Sequence, residues 1–126
     1  MVKKILVVDD DRFYSTYLKT LLSKNFPEYM LLMAKDGEEA WEILQAHTWS
    51  AVDDVLILDL EMPRLNGYGL LKRMFREMAE APRVVVNSNY KFRDQERTAD
   101  LATLNVANKP LNSSKVREVL RQLGDA

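Results

Sequence analysis

The chain has no cysteine and only one histidine. That excludes disulfides, thiolate catalysis and cysteine-based zinc sites. It also has almost no net charge, 18 Lys plus Arg against 19 Asp plus Glu giving −1, so nothing in the bulk electrostatics pulls it toward nucleic acid or a membrane. Long hydrophobic runs are missing as well. After Met1-Val2-Lys3-Lys4 only four apolar residues follow, too few for a signal peptide or a spanning helix. Repeats, low-complexity tracts and linkers are likewise absent. A length of 126 residues fits one domain, 1–126, large enough to bury most of its apolar surface. A soluble cytoplasmic protein is the expectation.

What is present is a series of short apolar runs that end in polar groups. Val55 to Leu58 run uninterrupted into Asp59, and the following Leu60-Glu61-Met62-Pro63-Arg64-Leu65-Asn66-Gly67 reads as a loop entering a helix. Such a run suits a strand buried on both faces of a parallel sheet. Ile5 to Val8 is a second run, closed by Asp9-Asp10-Asp11. Val84 to Val86 lie in a third, Arg83 to Asn87, with Ser88 at its end. Met30–Ala34 and the short Asn105–Asn108 complete five strands, the last running into Lys109-Pro110.

Helical periodicity fills the gaps. Tyr14, Tyr17, Leu18, Leu21 and Leu22 form one stripe, and Leu70, Leu71, Met74, Phe75 and Met78 another. Ala40, Ile43 and Leu44 mark a helix after Asp36-Gly37, whose Glu38 and Glu39 suit a helix N-terminus. Gln45 to Asp54 reads as a polar connection. Val116, Val119, Leu120 and Leu123 mark a last helix capped by Asn112 or Ser113. Lys91 to Leu104, charged and poor in apolar residues, is read as a helix whose charges form a solvated face or a docking surface. Five βα alternations predict an α/β fold, a doubly wound (βα)5 sandwich with a five-stranded parallel sheet and helices on both faces.

In a parallel sheet all strand carboxyl ends share one edge, where such folds bind ligands. Asp9, Asp10, Asp59, Ser88 and Lys109 could therefore share a pocket. Two carboxylates about 4 Å apart repel by roughly 4 kcal/mol at an effective dielectric near 20. A divalent cation relieves this, and a few carboxylates plus waters suit Mg²⁺ better than zinc. An aspartate oxygen can then attack phosphorus to give an aspartyl phosphate, with Mg²⁺, the Lys109 ammonium and the Ser88 hydroxyl neutralising the phosphoryl oxygens. Set against this, Asp11 reads as a cap, and Ser88 taken alone is a turn serine. His47 reads as a surface residue at a helix end, and Trp41 and Trp49 as packing or partly exposed residues. Gly67-Tyr68-Gly69 lacks the context of a dinucleotide loop.

ILVVDD, LILDLEMPRLNG, VVVNSN and NKP, in this order and spacing, resemble the receiver domain of two-component response regulators over essentially the whole chain. The resemblance implies a flavodoxin-like strand order 2-1-3-4-5 and a phosphorylation-dependent switch. It implies Asp59 as phosphoacceptor, Asp10 as direct Mg²⁺ ligand, Asp9 acting through water, and the Glu61 backbone carbonyl on the metal. Ser88 and Lys109 would bind the phosphoryl group, and Lys109–Pro110 would be cis. Partners implied are a histidine kinase or histidine phosphotransfer protein as donor, and an output protein or domain at the face of the fourth helix, fifth strand and fifth helix. A phosphorylation-linked homodimer is compatible with this. No nucleic-acid or membrane partner is implied for the domain.

Several positions depart from the family pattern. Val106 stands where a switch aromatic is usual, and Asn89 where Ala or Gly is. Asn87 interrupts an apolar strand, Asn66 replaces a commoner Asp, and the glycine usual before the last strand is missing. Glu61 and Tyr90 occupy the positions that tune dephosphorylation in the family. Two alternatives remain at this point: a degenerate receiver acting by protein contact without phosphorylation, and a phosphatase resembling the haloacid-dehalogenase superfamily with Asp9 as nucleophile.

Overall fold

In a computed structural model of the chain, residues 2–62, 66–88 and 105–124 are described, with backbone alone at 88, 105, 106 and 122–124. Five strands alternate with helices: β1 (Lys3–Val8), α1 (Arg12–Asn25), β2 (Tyr29–Ala34), α2 (Gly37–Ala46), β3 (Val55–Leu58), α3 (Gly67–Glu77), β4 (Arg83–Ser88), β5 (Asn105–Asn108) and a C-terminal helix (Ser113–Gly124). All pairings are parallel and the order is β2-β1-β3-β4-β5. The doubly wound architecture expected from the alternation is thus what forms. The helix expected over Lys91 to Leu104 lies outside the described residues, as do Asn89 and Tyr90.

Residue alternation divides each strand between two cores. Leu6, Val8, Leu56, Leu58, Val84 and Val86 pack against Ala40, Trp41 and Leu44 of α2 and Leu70, Leu71 and Met74 of α3. Ile5, Val7, Val55, Ile57, Val85 and Ala107 pack against Leu18 and Leu22 of α1 and Val116 and Val119 of the C-terminal helix. Ile5 to Val8 are 0 % exposed, which is why that run carries no polar residue. Each such side chain stabilises the fold by about 1.5–3 kcal/mol before entropy is counted. Among the described residues, two members of the helical stripes do not join the core: Phe75 is 58 % and Tyr17 41 % exposed. Phe75 follows Met74 by about 100° around α3, which turns it off the buried face. Tyr17 sits at the edge of its stripe, its hydroxyl donating to the Leu111 carbonyl.

Helix starts are fixed by side-chain oxygens that satisfy otherwise unpaired backbone N–H groups. Asp11 Oδ1 accepts from Phe13 N at 3.0 Å and Tyr14 N at 3.1 Å, the cap role expected of it. Asp36 caps α2, Asn66 caps α3 and Asn112 caps the C-terminal helix. His47 is the C-cap residue of α2 and is half-buried.

The segment before β3 is more than the polar connection its composition suggests. Trp49 is buried and its Nε1 donates to the Leu44 carbonyl at 2.7 Å. Asp54, 2 % exposed, accepts from Lys4 N at 2.8 Å and Ser50 N at 2.7 Å and pairs with Lys4 Nζ at 3.3 Å. Its carbonyl accepts from Arg83 N. Asp54, through its buried carboxylate and its carbonyl, therefore ties β1, the pre-β3 turn and β4 together at the amino edge of the sheet, opposite the site described next. Among the described residues no helix is long and apolar enough to cross a membrane.

Candidate functional site

The register places the site. Val8 pairs with Leu58 and Leu58 with Val86, so one residue further Asp9, Asp59 and Asn87 stand in a row at the carboxyl edge. The ladder continues into them: Asp9 N donates to the Ala34 carbonyl and Asp59 N to the Val8 carbonyl. Asn87 pairs with Ala107 of β5, and Ser88 with Asn108. Lys109 follows directly, and its peptide bond to Pro110 is cis.

Asp9 is 4 % and Asp59 6 % exposed, whereas Asp10 is exposed. Each offers a carboxylate oxygen such that the three atoms lie within 4.8 Å of one another. The two buried carboxylates are held alike. Asp9 Oδ1 accepts from Asp11 N at 2.9 Å and Asp59 Oδ1 from Glu61 N at 3.1 Å, each an oxygen bonded to the backbone two residues on. Their other oxygens converge on Lys109 Nζ, Asp9 Oδ2 at 2.7 Å and Asp59 Oδ2 at 3.3 Å. Gly67, first residue of α3, backs this arrangement. A Cβ there would stand 2.6 Å from both the Asp59 carbonyl oxygen and the Leu60 α-carbon, so only glycine lets α3 start this close to the strand end.

Burial pushes the Asp9 carboxyl above its ordinary value, against the lowering effects of the Lys109 hydrogen bond and charge. For Lys109 burial works to lower the ammonium, but its hydrogen bonds and charge pairing with Asp9 and Asp59 outweigh it, and the group ends raised. Both shifts favour bound protons. A rim with three carboxylates and one ammonium is short of positive charge, and a hard divalent cation with oxygen ligands is the chemistry that supplies it.

Asp9, Asp10, Asp59 and Lys109 are therefore brought together as the sequence suggested. Glu61 lies beside them, exposed, with its N–H on Asp59. Ser88 ends β4 at the same edge, and Val106 pairs with Val86 in β5; the side chains of both lie outside the described residues. Tyr14 and Asn87 had no assigned place in the site. Lys109 Nζ lies 4.7 Å from the centroid of the Tyr14 ring, and the Tyr14 hydroxyl donates to Asn87 Oδ1 at 2.5 Å. The signal for Asn87 was its polarity within an otherwise apolar strand. Tyr14 gave none, because its place in a helical stripe reads as core.

A doubly wound parallel sheet whose carboxyl edge gathers two buried aspartates, an exposed one and a lysine is the arrangement that the resemblance to receiver domains implied. The model of the response regulator receiver domain family matches residues 5–121, and the chain belongs to that family. It is 31 % identical over 125 residues to the transcriptional regulatory protein CpxR of Klebsiella pneumoniae, covering 96 % of this chain and 50 % of that protein. Among solved structures, the REC domain of AraT, a response regulator from Geobacillus stearothermophilus, is 27 % identical with a TM-score of 0.79, covering 99 % of this chain and 95 % of that one. The response regulator TrrA from Thermotoga maritima, solved in complex with Mg²⁺-BeF, shares the fold at 24 % identity and a TM-score of 0.77, covering 96 % and 98 %. The chain spans about half the length of the curated relative CpxR. Relatives of this kind are regulators, and the family assignment sets the haloacid-dehalogenase-like reading aside.

Proposed function

We propose that residues 1–126 form one receiver domain that takes a phosphoryl group onto Asp59 from the phosphohistidine of a histidine kinase or phosphotransfer protein. The convergence of Lys109 on the second oxygens of Asp9 and Asp59, with Asp10 alongside, carries this reading. An Asp59 carboxylate oxygen attacks phosphorus, the P–N bond breaks, and the departing imidazole keeps the electron pair and takes up a proton. Asp59 is oriented for this by the Glu61 N–H on its Oδ1. Lys109 already rests on Asp59 Oδ2 and follows the added charge of about −1.5 to −2. Ser88, from the adjacent strand end, would donate its hydroxyl to the phosphoryl group.

The donor set fits Mg²⁺: all-oxygen, carboxylate-rich and partly open to water through exposed Asp10. Asp10 would hold it directly, Asp9 through water, and Asp59 and the Glu61 carbonyl would complete the protein ligands. When bound, the ion neutralises charge on the phosphoryl oxygens. TrrA, alike in fold, is known in complex with Mg²⁺-BeF. Glu61, Asn89 and Tyr90 would govern access of water to the acyl phosphate, and hence its lifetime. Modification shifts a two-state equilibrium read by an output protein or domain at the face of the helix expected over Lys91 to Leu104, β5 and the C-terminal helix. The setting we propose is cytoplasmic, and a phosphorylation-linked homodimer belongs to the same reading.

Incubation with Mg²⁺ and a small phosphodonor such as acetyl phosphate tests this by intact mass. Wild type should gain a phosphoryl group and Asp59→Asn should not. Labelling that survives Asp59→Asn overturns the assignment. Labelling of neither protein selects a receiver that acts by protein contact alone.

A further inference from the structure

The polar groups around Lys109 that lie outside the acidic cluster form a second, connected assembly. The Tyr14 ring lies under the Lys109 ammonium with 4.7 Å between Nζ and the ring centroid. That is within cation–π range. The Tyr14 hydroxyl is fixed from two directions. It donates to Asn87 Oδ1 at 2.5 Å and accepts from Leu111 N at 3.0 Å. Asn87, 1 % exposed, is itself fixed, because its Nδ2 donates to the Ala107 carbonyl at 3.0 Å. Tyr17 stacks on Tyr14, the centroids 5.8 Å apart, and its hydroxyl donates to the Leu111 carbonyl. The backbone two residues before Lys109 and the backbone two residues after it are thus both tied to α1 through Tyr14 and its contacts.

An asparagine at 1 % exposure inside an apolar strand costs free energy unless its amide is satisfied at both ends. Here both ends are satisfied, one by the strand that leads to Lys109 and one by the tyrosine beneath it. From this geometry we infer that Tyr14 is a positioning residue for Lys109 and that Asn87 is the anchor of Tyr14. The ring face and the two clamped backbone points hold the ammonium where it meets Asp9 Oδ2 and Asp59 Oδ2. The functional consequence, though not the positioning itself, rests on the phosphorylation reading above: Tyr14 and Asn87 would set how readily Lys109 reaches the phosphoryl group on Asp59. Val106 cannot supply an aromatic ring at the fifth strand, so an α1 tyrosine is the aromatic group the site has at this ammonium among the described residues.

Two measurements test this. The first needs no phosphorylation. In protein labelled with ¹³C-lysine, with Lys109 assigned through Lys109→Arg, the Lys109 ε-methylene should show a ring-current shift. That shift should vanish in Tyr14→Leu. It should diminish in Tyr14→Phe and in Asn87→Leu, which keep the ring but release its hydroxyl. A Lys109 resonance unchanged in Tyr14→Leu, or unchanged in both hydroxyl-releasing variants while their melting curves show them folded, overturns the positioning role. The second is a double-mutant cycle on the rate of phosphorylation by acetyl phosphate with saturating Mg²⁺. Tyr14→Leu should lower the rate at saturating donor roughly five- to tenfold, the scale of a partly desolvated cation–π contact, with the donor KM and the Mg²⁺ affinity unchanged. In a Lys109→Met background the same substitution should have no further effect, because Tyr14 acts through the ammonium. Additive effects in the two backgrounds would show a merely structural tyrosine and overturn the claim. If wild type takes no label, the phosphorylation reading fails and the resonance measurement still decides where Tyr14 holds Lys109.

Discussion

Replacing Lys109 by Met removes one charge from the rim and keeps most of the stem that packs there. At 2.7 Å from Asp9 and 3.3 Å from Asp59, the ammonium contributes attractions of about 6 and about 5 kcal/mol at an effective dielectric near 20. The facing oxygens of Asp9 and Asp59, within 4.8 Å of each other, repel by about 3.5 kcal/mol or more on the same scale. Lys109→Met leaves that repulsion unopposed between two buried carboxylates. The net loss is smaller than the gross terms, since side chains relax and a carboxyl can take up a proton. Removing one partner of a buried pair costs on the order of 3 kcal/mol, and that is the loss expected near neutral pH without Mg²⁺. The pH dependence has a definite sign. Asp9 already binds its proton above the ordinary 3.8, chiefly through burial, and loss of Lys109 raises it further. The folded variant then holds more protons than the unfolded chain above pH 3.8, so lowering the pH toward that value stabilises the variant relative to wild type and narrows the gap. In wild type, the stability owed to the raised Lys109 is present below 10.5 and is lost as the pH rises through the folded value. Urea unfolding of both proteins across this pH range, with EDTA and with millimolar Mg²⁺, measures all of it. Mg²⁺ should also narrow the gap, by linkage to the folded state. A Lys109→Met protein at least as stable as wild type near neutral pH in EDTA would refute the reasoning.

Two further substitutions separate the site from the scaffold. Gly67→Ala gains up to about 1 kcal/mol of helix propensity but drives a methyl to 2.6 Å from two backbone atoms beside Asp59. A net loss of roughly 1–3 kcal/mol in denaturant unfolding and slower phosphorylation should follow, and a stabilised, fully active variant would contradict the close approach. Asp54→Ala strips the acceptor from Lys4 N and Ser50 N and unpairs Lys4, so unfolding should come about 3 kcal/mol sooner. Because Asp54 sits at the opposite edge of the sheet, the phosphorylation rate of the folded variant should match wild type. A changed rate would show coupling between the two edges that no contact described above provides.

The strands were legible because their chemistry is extreme. Val55 to Leu58 and Ile5 to Val8 admit no polar residue, and the abrupt change to aspartate marks where the sheet meets solvent. The same contrast made Asp9, Asp10, Asp59 and Lys109 readable as one group, since parallel pairing leaves them only one edge to share. Asp54 was hidden for the opposite reason. It precedes a strand, in a polar stretch where an exposed turn residue is the ordinary reading, and its burial depends on Lys4, fifty positions away. Asn87 registered as an irregularity without an explanation, because the hydroxyl that satisfies it comes from Tyr14, seventy-three positions earlier. Periodicity also overstates burial at the margins of a stripe: Phe75 and Leu71 are four apart on one helix, yet only Leu71 meets the core. Pairings between distant polar groups leave no local pattern, whereas period and edge do.

The central claim is that an Asp59 carboxylate oxygen becomes bonded to phosphorus as an acyl phosphate. Borohydride reduction of the protein after exposure to Mg²⁺ and a phosphodonor converts an aspartyl phosphate to homoserine, and peptide mapping then reads its position. Homoserine at position 59, and at neither 9 nor 10, is the predicted result. Homoserine at 9 or 10, or phosphoryl label that borohydride does not convert, would contradict the account.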